Sequence, residues 1–144
     1  MKESSQTIND YLGGWTTAAG SVKWVLYQNP ANQIRFYLDT SAGTASVNSA
    51  NLAVGTWYMV TATYDKDGGA NNVNLYINLT PVSTTNTGTI DDVSALNLGI
   101  GVLLTTVNSG FFAGTIGEVM HYAGKALTLS EVQNIYLATR WRYQ

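Results

Sequence analysis

Cysteine is absent from this 144-residue chain and charge is scarce, with Lys, Arg, Asp and Glu together only 11% of residues. The first absence excludes a disulfide framework and a thiolate metal site, while leaving the compartment open. The second is low against the roughly one quarter usual for soluble domains. A net charge of -2 provides no basic field, so nucleic acid is not an expected partner. No block of like charge forms an interaction tail. The longest apolar runs are far short of a membrane span, so no membrane partner is expected. MKESSQTIND lacks the apolar core of a signal peptide. A leader removed from a longer precursor is compatible with the same start.

What the chain has instead is Thr, Ser, Asn and Gly, residues of strands and turns more than of helices. The length suits one domain, 1–144, of which 1–20 is the least defined part. Residues 11–20, YLGGWTTAAG, read as a short strand or loop. SVKWVLYQ and QIRFYLDT flank the turn Asn29-Pro30-Ala31-Asn32. In the second of these, Ile34, Phe36 and Leu38 share one face and Arg35, Tyr37 and Asp39 the other, the period of a half-buried strand. A short strand is expected near Thr44–Val47.

GTWYMVTATYD, residues 55–65, alternates again, with Tyr58, Val60, Ala62 and Tyr64 as the expected core face. Residues 65–71 form a hairpin loop of types that tolerate positive φ. The return strand turns Val73, Leu75 and Ile77 inward and Asn74, Tyr76 and Asn78 outward. Pro81 confines the next strand, near Thr80–Ser83, to an edge. Residues 95–100 alternate Leu96, Leu98 and Ile100 with polar positions. FFAGTIGEVMHYAG reads as a long strand in which a bulge at Gly117-Glu118 reconciles the parity of Ile116 and Val119. Thr128-Leu129-Ser130-Glu131 has the T-x-x-E form of a capping box, with Leu127 and Val132 at the staple positions of the only expected helix. Many short strands and one terminal helix predict an all-β, antiparallel two-sheet sandwich of jelly-roll type.

Three segments together resemble the concanavalin A-like, laminin-G-like jelly-roll family: GTWYMVTATYD, NVNLYIN, and FFAGTIGEVMHYAGKALTLSEVQNIY. The resemblance spans about Ser21 to Tyr136. It implies two antiparallel sheets packed face to face, and a non-catalytic module that binds sugars or mediates adhesion, extracellular or on a virion or cell surface. Leu79 stands where the family has Gly, and Gly117 where it has Asp before Glu118. The strands expected before Ser21 are largely missing. Residues 5–20 stand in for them, the chain is a fragment, or another chain completes the sheet. An exposed sheet edge favours a homo-oligomer.

Catalysis is poorly supplied. Hydrolysis of a glycosidic bond needs two carboxylates flanking it, and the only glutamates are Glu3, Glu118 and Glu131. Glu131 belongs to the helix cap, Glu3 to a loose terminus, and Glu118 stands alone. His121 is the sole histidine, and no G-x-S-x-G elbow accompanies it. A non-catalytic, lectin-like recognition module is therefore the first expectation. A structural or assembly module of a larger protein is the alternative, and a glycan hydrolase or lyase comes last. The expected sugar-binding surface is the outward set Tyr27, Arg35, Tyr37, Asp39, Asn74, Tyr76 and Asn78, provided these strands share a sheet. Aromatic rings would stack on sugar CH groups while amides and carboxylates bond the hydroxyls. Trp15, Trp24 and Trp141 read as packing residues. No cofactor is required. Asp65 and Asp67 resemble the start of a calcium loop, and Asp91-Asp92 is a second acidic pair. Each reads first as a solvated turn, but the two together suit a calcium ion if the loops converge.

Overall fold

The computed structural model describes residues 1, 9–16, 22–90, 97–104 and 108–143. Alternation translates directly into strands. Ile34, Phe36 and Leu38 are buried while Arg35, Tyr37 and Asp39 are partly exposed. The described strands are β1 (Asp10–Thr16), β2 (Val22–Gln28), β3 (Ile34–Thr40), β4 (Gly43–Asn48), β5 (Val60–Tyr64), β6 (Val73–Ile77), β7 (Thr80–Thr84) and β8 (Asn97–Ile100), followed by helix α1 (Leu129–Thr139) and a 3-10 turn at Arg140–Tyr143.

They form two antiparallel sheets, one of five strands in the order β4-β3-β2-β1-β8 and one of three in the order β5-β6-β7. The expected sandwich with a C-terminal helix is present. Pro81 lies in an edge strand, where a missing N–H costs no ladder bond. β1 is a central strand built from the segment that read least clearly. Its Gly14 lies so close to β2 that a Cβ would come within 2.5 Å of the Trp24 carbonyl oxygen and of Val25. That close approach is why a glycine interrupts the pattern.

The core joins Ile34, Phe36, Leu38 and Val47 of one sheet to Val73 and Leu75 of the other. Each fully buried aliphatic side chain contributes about 1.5–3 kcal/mol. A polar hub closes the same end. Asn86 and Asn72 exchange backbone and side-chain bonds at 2.6 and 2.9 Å, and Thr40 donates to Asn86 Oδ1 at 2.8 Å. Thr40 belongs to one sheet, and Asn72 adjoins β6 of the other.

Two expectations fail. FFAGTIGEVMHYAG forms no strand; it crosses the inner side of the β1–β2 half with isolated bridges at Phe111, which faces Tyr11, and at Thr115. Three contacts tie this segment elsewhere than to a ladder. Tyr143 packs over Gly117, Arg142 donates to Glu118 at 3.1 Å, and His121 lies between Trp15 and Trp24. Trp141 is 66% exposed and does not pack as expected. Its neighbour Tyr143 does, 4.8 Å from Trp57. The helix follows the sequence reading closely: Thr128 and Glu131 form the reciprocal capping box, and Val132 is fully buried.

Candidate functional site

The outward positions of β1 to β4 make one continuous face. Register places Tyr11 beside Tyr27, Tyr27 beside Arg35, Arg35 beside Asn48, and Val25 beside Tyr37. The Tyr11 and Tyr27 rings meet at 5.3 Å with a 32° tilt. Arg35 donates from Nε to Asn48 Oδ1 at 2.6 Å and from Nη1 to the Tyr27 hydroxyl at 3.1 Å. Lys23 and Asp39 pair at 3.7 Å farther along. Burial, then the carboxylate of Asp39, raises the Tyr37 hydroxyl above its ordinary pKa. Burial, then Tyr27, does the same to Tyr11. Both phenols are thus neutral donors across the physiological range, as hydrogen bonding to a polar ligand requires.

Four of the seven expected residues, Tyr27, Arg35, Tyr37 and Asp39, therefore meet on this face. Asn74, Tyr76 and Asn78 do not join them, because β6 lies in the three-stranded sheet. With Leu38 and Leu75 both facing the shared core, the alternate residues of β3 and β6 face away from each other. Tyr76 is only 7% exposed and offers no ring to a ligand. Asn78 is a turn residue at φ 55°, its Oδ1 accepting from the Met59 amide at 3.0 Å. Asn74 reaches Thr63 at 3.5 Å. A single seven-residue surface is thus corrected to one face on the larger sheet. Three residues that the sequence reading left out join it: Tyr11, Lys23 and Asn48. The Gly13-Gly14 pair left the segment carrying Tyr11 undecided between strand and loop, and the strand expected near Thr44–Val47 stopped one residue short of Asn48.

The acidic loops have local explanations. Asp65 Oδ1 accepts from the Asp67 amide at 3.0 Å, and Asp67 is paired with Lys66 at 2.6 Å. Asp91 and Asp92 lie outside the described residues. Among the described residues no group of three metal-ligating side chains converges. Glu118 is engaged by Arg142, and Glu131 by the helix cap and Lys125. Between the β1–β2 half of the large sheet, the edge of β5 and residues 116–127 lies an apolar cavity of about 580 Å³, bordered by Trp24, Leu26, Phe36, Ala62 and Ile135.

A two-sheet antiparallel sandwich with a polar-aromatic outer face defines a β-sandwich recognition module. Residues 1–133 match the family described as the concanavalin A-like lectin/glucanases superfamily, and the chain belongs to it. No curated protein and no solved structure matches the chain. The superfamily joins lectin-like binding modules with glucanases, and membership supports a lectin-like or binding module in general.

Proposed function

We propose that this domain is a non-catalytic glycan-binding module whose ligand lies on the outer face of the five-stranded sheet. The observation that carries the reading is the Tyr11–Tyr27–Arg35–Asn48 chain with Tyr37 on the same face. Tyr27 is itself buried and braces Arg35, while the partly exposed rings of Tyr11 and Tyr37 lie beside oriented donors and acceptors, the combination that sugars need. The non-catalytic reading is supported by the two glutamates among the described residues: Glu118 and Glu131 are each held by a cation on separate elements, whereas hydrolysis needs a facing pair of carboxylates. An extracellular or surface setting accords with a sugar ligand. Titration against a glycan array, with and without calcium, tests the reading. Binding that is lost on Tyr37→Ala supports it, and silence on every glycan overturns it.

A second reading has its own observation. Phe111, Val119, Met120, Tyr122 and Trp141 are between 43% and 66% exposed along the C-terminal third. That is the composition of a protein-contact surface, and it favours an assembly module. Light scattering tests it, since a clean monomer at all concentrations speaks against self-association.

A further inference from the structure

We infer that the glycan is acidic, its carboxylate held by Arg35; this rests on the glycan-binding reading above. The described cations are not alike. Lys23, Lys66, Lys125 and Arg142 each face a carboxylate. Arg140 ends a helix, where the carbonyl dipole favours a cation. Arg35 alone sits on the sheet face with neutral partners only, the Tyr27 hydroxyl and the Asn48 amide oxygen. These two bonds fix the guanidinium plane but leave its charge uncompensated among the described residues.

Two of the five guanidinium N–H donors are used, one on Nε and one on Nη1. The remaining three lie on the Nη1 and Nη2 side, the fork that matches a carboxylate with two parallel bonds. Asp39 does not compete, because it lies farther along the strand and pairs with Lys23. On the outward positions of β1 to β4, Lys23 and Arg35 stand against Asp39 alone, one positive charge in excess on a chain of net charge -2. Tyr37, two residues along the same strand face, provides the ring surface for the sugar. A uronic-acid type sugar, planar carboxylate beside an apolar ring face, fits both features.

Calorimetry with uronic-acid oligosaccharides and their carboxyl-reduced counterparts separates the two levels of this reading. The expected result is about 10- to 100-fold tighter binding of the acidic form, as a charge-assisted bidentate contact gives. Arg35→Gln abolishes that preference, and Arg35→Lys restores little of it. Asn48→Asp is the second variant. It keeps Arg35 but supplies an internal carboxylate, so the fold melts no lower while acidic binding falls toward the neutral level. Equal binding of acidic and reduced sugars overturns the inference and leaves glycan binding standing. Binding of neither form, together with silence on the array, overturns both.

Discussion

The inner face of the five-stranded sheet is covered in two different ways. Over β3 and β4, the three-stranded sheet packs directly, and Ile34, Leu38, Val73 and Leu75 are completely buried. Over β1 and β2, the cover is a segment outside the named strands and a helix, and a cavity of about 580 Å³ remains that reaches Phe36 and Leu38 of β3. Sequence explains much of the contrast. VNLYI and IRFYLDT alternate cleanly and present aliphatic side chains to each other. FFAGTIGEVMHYAG mixes three glycines, a glutamate and a histidine into its apolar positions, and its side chains find partners in Tyr143, Arg142 and the Trp15–Trp24 pair. Packed sheet against sheet gives density; chain draped over sheet gives space. The proposed binding face lies on the other side of the same sheet, and Tyr27 and Arg35, bonded to each other, stand on its β2 and β3.

The largest expected effect breaks the tight half. Ile34→Ala removes a fully buried side chain of the joined core that does not border the cavity, and is expected to cost about 2–5 kcal/mol in urea unfolding. Ile116→Ala, bordering the cavity, is expected to cost about 1 kcal/mol or less. Equal losses at the two positions would mean that the halves are packed alike. Next comes the polar hub. Asn86→Ala leaves both bonds to Asn72 in place, since they use the Asn86 backbone, but removes the side-chain oxygen that accepts from Thr40 and from the Gly88 amide, and an expected loss of about 1–3 kcal/mol follows from leaving the buried Gly88 amide unpaired.

Adding volume sharpens the same contrast. Ala45 packs against the core cluster of the tight half, and Ala45→Leu is expected to cost about 1–3 kcal/mol through overpacking. Ala62 touches the same cluster but, unlike Ala45, also borders the cavity, so Ala62→Leu is expected to be neutral or to stabilise by up to about 1 kcal/mol. Thermal unfolding of the two variants side by side reads the difference. A destabilised Ala62→Leu would show that the loose half has no spare volume.

Where one physical rule decided a region, the sequence was readable. Period-two alternation located β3, β5 and β6, Pro81 located an edge, and T-x-x-E located the helix start. Where two rules competed, it was not. Gly13-Gly14 left the segment open between short strand and loop; it is a strand whose Gly14 is required by close approach to Trp24. The segment after Phe111 has strand composition, yet aromatic and ionic contacts far along the chain hold it out of the ladder. Half of the candidate site was legible for the same reason. Alternation tells which side of a strand a residue takes, so Arg35, Tyr37 and Asp39 were grouped correctly. It does not tell which sheet a strand joins, so Asn74, Tyr76 and Asn78 were grouped with them in error.

The smallest expected effect lies at the edge of the loose half, in the helix that helps cover it. Lys125 and the Thr128 amide and hydroxyl hold the Glu131 carboxyl down at a pKa of about 2, against an ordinary 4.5. Its folded value is below its unfolded one, so the stability it contributes is fully present above the unfolded value. That contribution declines as pH falls from about 4.5 toward about 2. The group is accessible to solvent, so salt screens it and the effect stays small. Helical ellipticity followed against pH is expected to fall through this window in the native chain and to stay flat in Glu131→Gln. Thr128→Ala, which removes the cap itself, is expected to lower stability by about 1 kcal/mol at neutral pH. A Glu131 carboxyl that titrates at its ordinary value would show that the cap is open in solution and that the cover over β1 and β2 is looser still.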